Sequence, residues 1–415
     1  MEIEVPYGKG KLDITIGDAN FGGAVYPNEV EIGDETETLQ RALERPFGSK
    51  TFDEFLEGAD DLVVIVNDRT RPTPTAKVLE LVRSKLDAVP NVKFVIATGV
   101  HRAPTPEEYG EIFGDMYDSY SGRIIAHDAR KSDDMVYLGK STNGTEMYVN
   151  RHVTEASKIM IIGSVEPHYF AGYTGGRKSF LPGVASFETI EQNHKYALLP
   201  SAQPLSLEGN PVHEDMVDAI KCISDHDIFT IMTVLDRQHR IYAVTAGDID
   251  EAFYAAIDKA HDVFSVTIDS PADIVVAVAP YPMDVDLYQS QKALDNGKLA
   301  LNDDGILILV AECRSGIGEE AFAKLLSSAS TPAEVMRKID EGYKLGYHKA
   351  AKIAEIAVRA NMWAVSEIDD ETLASIFIRP FLTLQEAIDQ ALQEKGADTK
   401  ILFMMAASMT VPRVV

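Results

Sequence analysis

Five short stretches of this chain carry side chains that move protons or hold anions, set among residues that stiffen or sharpen a loop. Asp68-Arg69-Thr70-Arg71-Pro72-Thr73-Pro74-Thr75 packs two arginines and an aspartate among prolines. A guanidinium fork on a loop stiffened by proline suits a carboxylate or a phosphate. The plainer reading is a solvated loop with a surface ion pair. Gly99-Val100-His101-Arg102 presents one histidine, which alone would be structural. Glu166–Lys178 (EPHYFAGYTGGRK) sets His168 and Lys178 on one glycine-rich loop. Glycines there permit close backbone approach to a bulky ligand. Lys178 could contact phosphate or, if desolvated, act as a nucleophile. Thr189–Lys195 (TIEQNHK) puts His194 on a helical stretch, where a surface or capping role is the default. Tyr288-Gln289-Ser290-Gln291-Lys292 opens a helix in the second half, with an ordinary amphipathic N-terminus as its plain reading. As a set, these histidines, lysines and arginines suit acid–base chemistry on a small anion beside a bound cofactor.

Two familiar fingerprints fit less well. Gly172–Ser179 (GYTGGRKS) approaches a phosphate-binding P-loop, but Arg177 separates Gly176 from Lys178 and the first spacing is one residue short. Gly316-Ile317-Gly318-Glu319-Glu320-Ala321 matches GxGxxA after a strand, yet two helical patterns follow it rather than helix then strand.

The positioning elements are readable as well. LVVIV (62–66), VKFVIA (92–97), KIMII (158–162), DIVVAVA (273–279), ILILVA (306–311) and ILFMM (401–405) are continuous apolar runs, which read as strands buried on both faces. Helical patterns alternate with them, as in doubly wound α/β folds, where ligands bind beyond the carboxyl ends of the strands. The chemistry-bearing loops follow such runs. Thr105-Pro106-Glu107-Glu108 is a capping box, Thr331-Pro332-Ala333-Glu334 a second helix start, and Asn143-Gly144 a hairpin turn. A domain boundary is expected near 263–271. The expected organisation is a first domain over residues 1–265 and a second over 272–400, with the tail 403–415 able to pack back on the first.

Composition narrows the function classes. The 415 residues suffice for two to three domains and a sizeable core. With 39 basic and 65 acidic residues the net charge is −26, which opposes nucleic acid and anionic membrane as partners. An anionic substrate must therefore meet a local basic pocket. Two cysteines, Cys222 and Cys313, in no CxxC pattern exclude a disulfide framework and a thiolate zinc site. No apolar signal region and no run long enough to span a bilayer are present, so a cytoplasmic protein is expected.

In order and spacing, the five motifs resemble the nickel-pincer nucleotide-dependent lactate racemase family over nearly the whole chain; HYFAGYTGGRKS is the most specific of them. The resemblance implies two Rossmann-like α/β domains with the active site in the cleft between them. It implies a nickel-pincer pyridinium mononucleotide joined covalently to Lys178, with His194 as the protein ligand to nickel. His101 and His168 match the paired acid/base histidines. Arg71, Gln289 and Lys292 match substrate contacts. Asp68, Thr70, Gly175, Gly176 and Arg177 match positions near the cofactor. The implied reaction removes hydride from Cα of a 2-hydroxy acid, giving a planar 2-keto acid, and returns it to the other face. Cofactor-biosynthesis enzymes are the implied loading partners. The shared motifs do not fix the substrate: lactate, malate, longer or aromatic analogues and sugar acids all fit. Trp363 and His348-Lys349 are candidates for pocket lining. Two further classes stay open from the residues alone, a nucleotide-dependent kinase or ligase using the Lys178 loop and a carboxylate- or metal-binding protein without turnover.

Overall fold

The computed structural model describes residues 1–415, the side chain of Glu320 excepted. It is an α/β protein of two compact units, residues 29–263 and residues 1–28 with 264–415. The expected boundaries change in two ways. The first 28 residues join the second half of the chain, and so does the tail. Strand Ile401–Met404 pairs in parallel with both Ala272–Val278 and Phe21–Val25, while Val411–Val414 pairs with Ser265–Ile268. An apolar four-residue strand, ILFM, buried at every position, is too hydrophobic for an edge and is used as an interior strand.

In the unit 29–263, six strands lie in the order Ile241–Gly247, Asp227–Leu235, Lys158–Ser164, Asp61–Asn67, Asn91–Ala97, Ile124–Ala126. All neighbours are parallel except the first pair. Strand order reverses between Asp61–Asn67, first in the chain, and Lys158–Ser164, fourth in the chain. This is the topological switch point at which doubly wound sheets open a crevice. The DRTRPTPT loop and the His168/Lys178 loop leave the carboxyl ends of those two adjacent strands. Alternate residues of Asp61–Asn67 serve two cores: Val64 and Val66 on one face, Val63 and Ile65 on the other. Helix Thr75–Leu86 begins where the prolines end and buries Val78, Leu79, Val82 and Leu86 on one stripe.

The second unit repeats the plan. Its sheet runs Ile378–Pro380, Asn361–Val365, Leu301–Val310, Ala272–Val278, Ile401–Met404, Phe21–Val25, parallel throughout. Helix Leu287–Gly297, with Gln289 and Lys292 in its opening turns, follows strand Ala272–Val278. Asp286 caps it, its side chain accepting from Gln289 N at 2.7 Å. No helix among the described residues is long and apolar enough to cross a membrane.

Candidate active site

The two loops at the switch point are tied to each other before they hold anything else. Thr73 Oγ1 bonds Asn67 Oδ1 at 2.8 Å and Ser164 Oγ at 3.0 Å, joining the ends of both strands. The second loop closes on itself: Thr174 N donates to Glu166 O at 2.8 Å, Glu166 N to Thr174 Oγ1 at 3.0 Å, and Thr174 Oγ1 to Ser164 O at 2.8 Å. Asn210 Nδ2 holds the Phe170 carbonyl at 2.9 Å. His168 therefore stands on a small closed hairpin, 8% exposed.

The two histidines are held in different ways. His101 Nδ1 meets Asp68 Oδ2 at 2.7 Å. Asp68 Oδ1 in turn accepts from Thr70 N at 3.1 Å and Thr70 Oγ1 at 2.6 Å. Burial raises the Asp68 carboxyl, but His101, Thr70 and Arg71 outweigh it and hold the group below its ordinary value. A carboxylate at Nδ1 places the proton there and the lone pair on Nε2. His168 Nδ1 instead accepts from Ala171 N at 3.3 Å, which puts the proton of the neutral ring on Nε2.

Phe170 is the hub of the remaining groups. Its ring centre lies 4.6 Å from that of His168, 5.0 Å from that of His194 and 5.5 Å from Lys178 Nζ. His194 Nδ1 contacts Asn193 Oδ1 at 3.1 Å, which assigns the lone pair to Nε2. Burial above all, then the charges of Lys178 and His101, drive the His194 pKa down to about 3. Its imidazole is thus kept neutral, the form that ligates metal. Arg71 Nη1 lies 3.3 Å from Glu166 Oε1.

Several residues expected near a cofactor are engaged by the protein itself. Asp68 and Thr70 support His101. Arg177, 2% exposed, is bound by Asp250 at 2.7 and 3.0 Å and lies over the Phe253 and Tyr254 rings. Gly175 has φ +92°, and a Cβ there would come within 2.5 Å of Val165 Cγ2; at Gly176 it would come within 2.9 Å of Met232 Cε. These glycines answer to the packing of the chain on its own sheet. Lys178 follows in the 3-10 turn Gly176–Ser179, fixed by Arg177 before it and Phe180 in the core after it. A P-loop would open a long helix here, and this loop does not.

In the other unit, Lys292 is half-buried on the helix Leu287–Gly297, beside Lys349 of the helix Tyr347–Arg359. Trp363 is 2% exposed in its strand, with its ring 4.7 Å from that of Phe381, so it belongs to the core and not to a pocket. The motifs did not single out Phe170, Asn193, Glu166 or Asp250. The first three lay inside the quoted blocks. Asp250 carried no signal.

A cavity of about 770 Å³ opens elsewhere in the unit 29–263, lined by Lys50, Lys221, His226, Asp227 and Asp248 at the edge where strand Asp227–Leu235 begins. It contains none of His101, His168, His194 and Lys178.

Residues 7–204 match the family model described as the lactate racemase N-terminal domain, and residues 266–411 match the lactate racemase C-terminal domain. The chain belongs to the lactate racemase family. Its class is accordingly that of an isomerase. It is 33% identical to a lactate racemase of Thermoanaerobacterium thermosaccharolyticum and 30% identical to one of Lactiplantibacillus plantarum, each comparison covering 96% of both chains. The solved apoprotein of the Thermoanaerobacterium enzyme superposes with a TM-score of 0.92 at 32% identity over all of both chains. A Thermotoga maritima protein shares the fold at a TM-score of 0.68 and 16% identity, over 89% of this chain.

Proposed function

We propose that this chain racemises lactate or a close 2-hydroxy acid in the cytoplasm, using a nickel-pincer nucleotide tethered to Lys178. The observation that carries the reading is the cluster of His168, Lys178 and a neutral His194 at Phe170, with His101 held in a different hydrogen-bonding state by Asp68.

The residues fit such a group. Lys178 supplies the amine for attachment, and His194 Nε2 supplies one nitrogen donor, its orientation set by Asn193. Among the described residues no three His, Cys, Asp or Glu side chains are placed to hold a metal. A metal at His194 would thus need further donors that come with the cofactor. When bound, the cofactor supplies reversible hydride acceptance at the substrate Cα.

The chain supplies the proton transfers and the binding. His101 Nε2 takes the hydroxyl proton as hydride leaves Cα, and ionised Asp68 stabilises the imidazolium that forms. His168 donates Nε2–H as a hydrogen bond to the oxygen from the other side, and gives up a proton only as the imidazolium, with a second proton at Nδ1 in place of the contact from Ala171 N. Transfer in the opposite direction needs the two rings to exchange protonation states. Arg71, Gln289 and Lys292 are the proposed carboxylate contacts. Malate and sugar acids remain variants of the same chemistry. The loading partners would be the enzymes that build the cofactor.

The test is protein made alongside those enzymes. Intact mass should show an adduct on Lys178, metal analysis should find nickel, and chiral chromatography should show either lactate enantiomer becoming a mixture. Loaded protein that converts no 2-hydroxy acid contradicts the reading. A kinase or ligase would instead bind magnesium nucleotide without nickel.

A further inference from the structure

Asp215, in the second turn of the helix Pro211–Lys221, is fully buried in the unit 29–263. Its carboxylate ties that helix to two other segments. Asn143 Nδ2, in the turn before strand Glu146–Asn150, donates to Oδ1 at 3.2 Å. Thr145 Oγ1 donates to Oδ2 at 2.5 Å, and Asn193 Nδ2 donates to the same oxygen at 3.2 Å. Asn193, itself buried, precedes His194 at the end of the helix Phe187–Lys195. The helix of Asp215 also begins at Asn210, which holds the Phe170 carbonyl.

These contacts leave the Asn193 amide one orientation. Its Nδ2 faces two groups that only accept, Asp215 Oδ2 and, at 3.1 Å, the Val212 carbonyl. Its Oδ1 therefore faces His194 Nδ1, 3.1 Å away. An amide oxygen only accepts, so the neutral ring carries its proton on Nδ1 and its lone pair on Nε2. The plainer role of Asp215 is to fasten a turn and two helices. That role needs hydrogen bonds but no charge, and an amide of the same shape costs far less to bury than a carboxylate. An amide would not serve here. Asn143 Nδ2 also donates to the Pro211 carbonyl at 3.3 Å, so Asn143 always presents a donor to position 215. An amide at that position would turn its oxygen to Asn143 and its NH2 to Asn193. Only a group that accepts on both sides satisfies Asn143 and Asn193 together, and a carboxylate is such a group.

We propose that Asp215 is a positioning residue that selects the tautomer of His194: by accepting from Asn193 it turns the Asn193 oxygen onto His194 Nδ1 and keeps Nε2 as a metal donor. The inference rests on the reading of His194 as the nickel ligand. Asp215 acts only through Asn193, as groups one step behind a metal-bound histidine do when they fix its ring and its proton. The turn at Asn143-Gly144 has a part in the same device, because Asn143 is what makes an acceptor obligatory on both sides of residue 215.

The experiment is nitrogen NMR of the full-length protein carrying isotope-labelled histidine, before cofactor loading, with the His194 signals assigned by their loss in His194→Gln. Wild type should show a proton-bearing Nδ1 and a bare Nε2. Asp215→Asn sets the Val212 carbonyl against the new NH2 for the Asn193 amide, so His194 should show the intermediate shifts of a tautomer mixture. Adding Asn143→Ala to Asp215→Asn frees the new amide to turn its oxygen to Asn193 and should restore the wild-type tautomer. After loading, Asp215→Asn should hold nickel about 10- to 100-fold less tightly against a chelator, with the Lys178 adduct mass retained. Wild type with the proton on Nε2, or Asp215→Asn with the wild-type tautomer, overturns the proposal and leaves the racemase reading standing. So does a double variant without the wild-type tautomer. If Asp215→Asn does not fold, wild type and the double variant decide. Loaded wild type without nickel overturns the racemase reading and, with it, the metal role given to Nε2.

Discussion

The two six-stranded sheets share a largely parallel plan but arm their carboxyl ends differently. In the unit 29–263 each chemical group is held by a neighbour. Asp68 holds His101, the Ala171 amide holds His168, Asn193 holds His194 and Asp250 holds Arg177. Ring tautomers and orientations there are set before any ligand arrives, which is what proton transfer requires. In the unit of residues 1–28 and 264–415, the Lys292 charge acts on Lys349 of a neighbouring helix, while Asp295 Oδ2 and Gln291 Oε1 are buried without hydrogen bonds among the described residues. Positive charge gathered there is what anion binding requires. The first region should govern kcat and the second KM.

Variants can break that division. Lys178→Ala should have the largest effect, with loss of the adduct by intact mass and loss of all turnover. Asp68→Asn should lower kcat about 10²- to 10⁴-fold with little change in KM, because it removes the carboxylate that fixes and charges His101. Steady-state kinetics from each enantiomer measure it. Lys292→Met should raise KM about 10- to 100-fold, the worth of a charged hydrogen bond, with kcat much less affected. The reverse pattern in these two variants would erase the contrast between the regions.

Smaller effects probe what holds the first region in place. Gly175→Ala should lower stability by about 1–3 kcal/mol, read as a denaturant midpoint, because φ is +92° and Val165 occupies the Cβ position. His213 stacks on Phe253 beside Arg177, and burial, then Arg177 and Lys178, lower its pKa to about 3. The folded value lies below the unfolded one. The stability it confers is thus complete above about 6.5 and is lost as pH falls towards 3. The loss approaches about 1.4 kcal/mol per pH unit inside that window. His213→Gln should flatten the slope of midpoint against pH there; an unchanged slope would reject a neutral buried His213.

Much of this was legible in the sequence because parallel strands announce themselves. LVVIV and KIMII could only be two-sided strands, and polar loops at their ends follow from the fold class. Two of the five motifs, Glu166–Lys178 and Thr189–Lys195, named the groups that gather at Phe170. What sequence could not give was partner choice. Thr70 and Arg177 are expected near the cofactor through the family resemblance alone. Their partners are Asp68 and Asp250, the latter 73 residues from Arg177 in the chain. The boundary near 263–271 is legible, but the placement of residues 1–28 is not, for a related reason. Pairing of Phe21–Val25 with Ile401–Met404 spans almost the whole chain, and local pattern carries no trace of so distant a partner.

The central claim is hydride transfer at Cα with the proton handled by histidine. The most direct test is racemisation of L-lactate by cofactor-loaded protein in deuterium oxide, with the product analysed for deuterium at Cα. The account predicts D-lactate that keeps its original Cα hydrogen. D-lactate carrying deuterium at Cα would mean deprotonation by a base in exchange with solvent, and would contradict it.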